Sequence, residues 1–409
     1  VRPTVDLNSL LSDGDPWWSL SNKPSVAVKK ERMPLTLARP GVLSAVLDGT
    51  TEVVVLSEFL SDPTVYPLLS GQPDLYRAFM CQVWEHQNEQ GISSLIHMET
   101  HFTDAKTAQL RAATYRHLRR HWQFINELQL FDIAHRSLYG THIYGRTQPP
   151  NFLNASGLFH PDTISRSLTH DGTGEQPGFK DQHTDTWDLR PHAARIQSIN
   201  ESALKTWQAV TESDHWRSTT MVSTVNSAAL RTLATLATHP RIGSLNLQFS
   251  AGWHETSDFE KGRFKKVWGP TSWDDAILQG PHLYVSTPLY KQPNETMRNF
   301  LDWTATDMET LPTSAEPVTQ YKPAGDHATY DRLYTHWDHS PARDHFRIAW
   351  RRMASNYGER TLISALVPPG AAHVHLVQSA APPDHSPISL IITQAITSSL
   401  LADFQIRSN

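Results

Sequence analysis

The chain has 409 residues, enough for two or three domains with sizeable cores at about 150 residues each. Lys and Arg number 36 against 41 Asp and Glu, and the resulting charge of −5 excludes a globally basic, histone-like binder and confines any nucleic-acid contact to a local patch. Hydrophobic residues at 39% with charged residues at 19% exclude a disordered chain, and the single cysteine, Cys81, excludes an intrachain disulfide and four-cysteine zinc sites.

Residues 1–30 are polar and without period around Asp15-Pro16-Trp17-Trp18, which predicts a surface-wrapping arm. The β-branched run 51–56 after Asp48-Gly49 predicts a buried strand. Leu75, Phe79, Met80, Val83 and Trp84 recur at helical spacing, giving a helix over 74–90 stopped by Gly91. Residues 91–102 predict a short buried strand. Thr103-Asp104 then caps a long helix carrying Leu110, Thr114, Leu118, Trp122 and Ile125. Strands or strand edges at 124–130 and 139–144 complete a β-α-β-α order, which predicts helices packed on a mainly parallel sheet. The stretch 146–190, rich in Pro, Gly, Asp, Thr and Ser, predicts a long loop or linker, and 191–211 is helical in pattern. From 218 to 377 short aromatic-rich segments with frequent Pro predict a second, mostly β domain. The longest apolar runs are too short to cross a bilayer and no basic-then-apolar leader opens the chain, so the expectation is a soluble cytoplasmic protein with no membrane partner. The opening Val1-Arg2-Pro3, with no Met and no cap signal, suggests a segment of a longer polypeptide.

Three basic stretches are candidates for phosphate contact. On the predicted helix, Arg116, Arg119 and Arg120 share one face, which suits either a phosphate-tracking surface or an ordinary solvated face. Over 341–360, Ser340 and Pro341 open a predicted helix on which Arg343, Arg347 and Arg351 fall at steps of four beside Phe346, Trp350 and Met353. Asn356 and Arg360 follow at its end. Such a ladder can combine phosphate contacts with base readout, or it can be a structural salt-bridge helix. In 253–268, Lys261-Gly262 predicts a hairpin turn, and Arg263, Lys265 and Lys266 could then present charge on a β-ribbon, offset in part by Glu255, Asp258 and Glu260. The pairs His373/His375 and His336/His339, and His254 beside Glu255, lack three or four convergent ligands, so no metal site is expected. Gly172 and Gly174 follow no strand, and no phosphate loop, nucleophile elbow or complete catalytic set is present.

The ordered residues Gly91, Leu95, Ile96, Leu110, Arg111, Asn126, Glu127, Leu128, Leu130 and Phe131 resemble the later half of the catalytic domain in large adenine-specific DNA methyltransferases. These enzymes belong to type IIG-like restriction-modification and phage-defence systems. Val1-Arg2-Pro3 followed by Asp15-Pro16-Trp17 is similar to the text after that family's Asn-Pro-Pro-Trp loop, and Arg347, Arg351, Arg360, Thr361, Leu362, Ile363 and Pro368 resemble its target-recognition part.

The resemblance implies an α/β fold with a partial Rossmann-like methyltransferase sheet over 1–147, a linker and helical connection over 148–217, and a mixed α+β target-recognition domain over 218–409. It implies the DNA-binding part of such an enzyme, catalytically incomplete, with no catalytic residue and no cofactor in this chain, S-adenosylmethionine belonging to the full-length parent. The partners implied are double-stranded DNA and either the N-terminal catalytic part or other defence-system subunits, because a base-extruding enzyme divides holding the base from gripping the duplex. Expected DNA contacts are Arg347, Arg351, Arg352, Asn356 and Arg360, followed by Arg263, Lys265, Lys266 and Arg119. Two rivals stand beside this: a carbohydrate-active or other hydrolytic enzyme, with tryptophans lining a sugar groove and Asp274 next to Asp275, and a protein-interaction module whose arginines bind an acidic protein.

Overall fold

In the computed structural model, which describes residues 3–181, 183–353 and 358–408, the segment expected to be an irregular arm is helical. It forms α1 (Leu7–Ser12), α2 (Trp17–Leu20) and α3 (Val26–Leu37), with Asp6 and Ser25 capping the first and third. Asp15 orders them: it is 4% exposed and accepts from Arg32 at 2.8 Å and from Thr36 at 3.1 Å, while Thr36 accepts from the Trp18 indole at 2.9 Å. The run 51–56 is the middle of α4 (Val42–Ser61), not a strand. β-Branched residues cost a helix only about 0.5 kcal/mol each, and the burial of Val42, Val46 and Leu60 along the same helix outweighs that.

The chain divides into two units, 1–238 and 239–409. In the first, α5 (Leu75–His86) forms as its periodicity predicts and leads to β1 (Ser93–Met98). The predicted long helix is split. Only α6 (Ala108–His117) is helical, and β2 (Leu118–Ile125) continues straight from it. Residues 118–125 alternate as well as they repeat every three or four positions, and pairing on both edges settles the period at two. With β3 (Leu138–Tyr144), β4 (Asn151–Leu158) and β5 (Gln197–Asn200) the sheet has the order β1-β3-β2-β4-β5. Only β2 and β4 run parallel; the other three pairings are antiparallel, so the expected mainly parallel sheet gives way to a mixed one. The stretch predicted as a linker supplies β4, β5 and buried Phe152, Ala155, Leu158 and Ile199, and α7 (Glu201–Thr211) buries Trp207 completely.

The second unit is built from short strands, as its composition predicts. β6 (Gln248–Ser250), β9 (Arg347–Arg351), β10 (Ser364–Val367) and β11 (Val377–Ala381) form an antiparallel sheet in the order β10-β9-β11-β6, and β7 (Phe264–Pro270) pairs with β8 (Val318–Pro323) as a separate ribbon. Its core holds Trp253, Phe264, Tyr330, Tyr334, Trp337 and Ile348. In the described part of the predicted helix 341–360 the chain forms a short turn at Ala342–Asp344 and the central strand β9, because three consecutive residues, Arg347, Ile348 and Ala349, are buried, which a strand paired on both edges achieves and a one-sided helix does not. Among the described residues no single helix is long and apolar enough to cross a membrane.

Two histidines make this unit sensitive to acid. His282 Nε2 donates to the Val318 carbonyl and its Nδ1 accepts from the Gln279 N–H, each at 2.9 Å. His373 Nδ1 donates to the Val374 carbonyl and its Nε2 accepts from the Ser379 hydroxyl. Both rings are 1% exposed, and burial pushes them down to about 4 for His282 and about 3 for His373. The unfolded chain takes its protons first, near pH 6.5, so their stability contribution is complete above that pH and is lost as pH falls toward 4 and 3. The melting temperature of the second unit should therefore drop steadily below pH 6.5, and His282→Gln should flatten the profile.

Candidate functional site

The charges that the sequence offered as a DNA-reading ladder lie mostly inside the second unit. Arg347 is 0% exposed and donates to the Ala342 carbonyl at 2.7 Å and to the Ala371 carbonyl. Arg343 pairs with Asp331 at 2.5 Å and donates to the Asp274 and Gly370 carbonyls. Arg351 donates to the Gly280 and Leu283 carbonyls at 2.9 and 2.5 Å. Arg360 pairs with Asp403 at 3.4 Å and donates to Ser398. Arg343, Arg347 and Arg351 share no helix face, and a phosphate reaches Arg347 only if the sheet opens. Arg352 is exposed, and Asn356 lies outside the described residues. In the first unit Arg119 donates to the carbonyls of His117, Leu118 and Arg146, so with Arg120 on β2 the expected three-arginine helix face does not form.

The ribbon β7–β8 is different. Lys265 and Lys266 are exposed on β7, and Lys265 stands directly opposite Lys322 of β8. Lys261-Gly262 does turn the chain, but it follows the short helix Ser257–Glu260 rather than joining two paired strands. Asp258 is occupied by Arg263 at 3.5 Å and Lys261 at 4.0 Å, and Glu255 accepts from Gln279 and Tyr321. Among the described residues no carboxylate lies within 4.0 Å of Lys265, Lys266 or Lys322. Like charges facing across a strand pair destabilise it by some tenths of a kcal/mol, a cost that the hydrogen bond from Lys322 Nζ to the Pro270 carbonyl at 3.3 Å offsets in part.

In the first unit the sheet gathers a polar cluster that sequence reasoning missed. His142 on β3 stands opposite His121 on β2, which stands opposite Asn154 on β4, and Gly140 stands opposite both His97 and Gln123. Period-two alternation puts these side chains on one face, under Phe102 and Tyr76. Glu99, just past β1, lays its carboxylate over Gly140, where a Cβ would run into both that carboxylate and the His142 ring. Glu99 Oε1 meets His121 Nε2 and lies 3.6 Å from His142 Nε2, while Glu99 Oε2 accepts from Gln123 at 2.7 Å. His121 Nδ1 is 2.6 Å from Asn154 Oδ1. Glu99 is 6% exposed, and His101, His121 and His142 are 0% exposed.

Burial first, then the neighbouring imidazoles, drives His101 and His142 well below the usual histidine range, and burial brings His97 down to about 4. Neither ring nitrogen of His142 makes a well-formed hydrogen bond, nor does His101 Nε2. Each such orphan costs about 1–3 kcal/mol. Glu99, His121 and His142 have donor atoms within 4.8 Å of one another and could together hold a metal ion. The histidine pairs singled out by sequence do not converge in this way. His373 is bonded to its own strand's neighbourhood, and His375 stacks on His254 at 4.3 Å.

Trp18, Trp122, Trp207, Trp253 and Trp337 are buried core residues and cannot line a sugar groove, and Asp275 pairs with His327 at 3.0 Å. No family model matches the chain, and no curated protein matches it. Among solved structures it is similar to the type IIG restriction endonuclease BpuSI, with a TM-score of 0.27 and 11% identity over 88% of this chain. It spans 42% of that enzyme's chain. A likeness this weak identifies neither fold nor activity.

Proposed function

We propose that the chain is a duplex-DNA-binding part of a restriction-modification or phage-defence enzyme and that it grips phosphates through the β7–β8 ribbon of the second unit. The observation that carries this is the opposed pair Lys265 and Lys322 on one face of the ribbon, Lys322 also donating to the Pro270 carbonyl at 3.3 Å, with exposed Lys266 on the other face and no carboxylate within 4.0 Å of the three among the described residues. A polyanion lying along the ribbon turns that mutual repulsion into attraction, and two-stranded ribbons fit a DNA groove. The ordered sequence resemblance to adenine-specific methyltransferases supports the choice of DNA as the polyanion. Binding, rather than methyl transfer with S-adenosylmethionine, is the activity assigned to these residues. Arg263 and exposed Arg352 are secondary contacts on this reading.

Fluorescence anisotropy with a labelled duplex at low salt tests it. Lys265→Glu/Lys266→Glu should weaken binding by about 100-fold or more, uniformly across sequences, as expected for lost phosphate contacts. Unchanged affinity in the double variant contradicts the assignment. Equal competition by polyglutamate and by unlabelled DNA would contradict it as well, because the higher linear charge density of duplex DNA should make it the stronger competitor charge for charge.

A further inference from the structure

We infer that Glu99, His121 and His142 form a binding site for a first-row divalent transition metal ion of the zinc class in the first unit. Two imidazoles and one carboxylate are a donor set of borderline softness, suited to Zn²⁺ and its neighbours and poor for Ca²⁺ or Mg²⁺. The convergence is built into the sheet rather than left to surface rotamers. Register places His121 and His142 side by side, and the missing side chain of Gly140 leaves the space that the Glu99 carboxylate fills.

The outer contacts are those a metal site needs. With the Asn154 amide NH₂ directed to Ser156 Oγ at 3.5 Å, its oxygen takes the His121 Nδ1 proton, which turns the Nε2 lone pair of a neutral His121 toward Glu99. Gln123 holds the second carboxylate oxygen. Partners of this kind fix the tautomer and orientation of metal ligands. In the short contact seen here a neutral His121 lone pair and the Glu99 carboxylate would repel, so either a proton is shared between them or the two groups part to admit a metal ion.

A proton is the other possible occupant, as a His121 imidazolium paired with Glu99. It leaves His142 unexplained: that ring is 0% exposed, lies 3.6 Å from the same carboxylate oxygen, and makes no well-formed hydrogen bond from either nitrogen, with the Gly140 backbone as a weak neighbour. A metal ion engages both imidazoles and the carboxylate at once. Three protein donors are one fewer than a closed structural zinc site uses, and His101, whose Nε2 also lacks a partner, lies nearby with its ring tilted and its centroid 6.1 Å from that of His142.

The test uses the full chain, freed of metal with a chelator and titrated with Zn²⁺ and with Co²⁺. About one equivalent should bind, His142→Ala and Glu99→Gln should each weaken binding by about 100-fold or more, and Asn154→Ala by about 10- to 100-fold. His254→Ala, in the other unit, should bind as the unaltered chain does. Retention of one equivalent by both His142→Ala and Glu99→Gln, or no stoichiometric uptake by the folded chain at micromolar Zn²⁺, overturns the site. Should those variants fail to fold, the unaltered chain still decides. Co²⁺ should develop the strong visible bands of a four- or five-coordinate protein site without a thiolate charge-transfer band, and the weak spectrum of the aqua ion at one equivalent refutes it.

Discussion

Replacing Arg347 with methionine should lower the stability of the second unit by about 3–5 kcal/mol while leaving DNA affinity unchanged at temperatures where the unit remains folded. The guanidinium is 0% exposed and ties the Ala342 carbonyl, before β9, to the Ala371 carbonyl, after β10. Methionine fills much of the volume but donates nothing, so two buried carbonyls lose their partner at about 1–3 kcal/mol each. In a unit of this size that corresponds to a fall of about 10 °C in melting temperature. Calorimetry and anisotropy on the same preparation separate the two roles. A DNA-contacting arginine would lose affinity and keep its melting temperature; the reverse is expected here.

Asp188→Ala should destabilise the first unit by a similar amount, about 3–5 kcal/mol, because it strands a buried charge. Asp188 is 2% exposed and accepts from the Arg190 side chain at 2.7 Å, from the Arg190 N–H at 3.0 Å and from the Gly178 N–H at 3.1 Å. Arg195, 1% exposed, lies 3.7 Å away and also donates to the Asp188 carbonyl at 2.8 Å. Burial alone would raise the Asp188 carboxyl, but the hydrogen bonds from Arg190 and Gly178 outweigh it and leave the group below its ordinary value. The sign follows: the stabilisation is present in full above the unfolded value near 4 and is lost as pH falls through the lower folded value. Urea denaturation at pH 7 and at pH 3 should show the gap between Asp188→Ala and the unaltered chain shrinking at the lower pH.

Asp188 also shows why part of the fold was hidden. The composition of 146–190 suggests a linker, yet the segment is ordered by arginine-carboxylate geometry and turn hydrogen bonds that leave no periodic trace. Elements with one dominant period were legible: α5 from Leu75, Phe79 and Met80, β1, β3, and the short strands of the second unit. Where two periods fit equally, long-range pairing decided. At 118–125 the alternation of His121 with Gln123 was submerged in an apparent helical stripe, and this concealed the polar cluster. The signal that could have revealed it was the set of short alternations His97-x-Glu99, His121-x-Gln123 and His142-x-Tyr144 on three successive apolar strands. Over 341–360, arginines at steps of four resembled a helix face, whereas Arg347 and Arg351 serve as internal props for carbonyls. Among the expected DNA contacts, Lys265, Lys266 and Arg352 keep the exposure that the role requires.

The central claim is that a few lysines on the β7–β8 ribbon hold duplex DNA by charge. Its most direct test is the dependence of binding on salt concentration for the unaltered chain and for Lys265→Ala/Lys266→Ala/Lys322→Ala. Counterion release makes log K fall linearly with log salt, and removal of three phosphate-contacting lysines should make that slope shallower by about 2 to 3. A slope identical in the two proteins, or a chain with no measurable affinity for duplex at low salt, would contradict it.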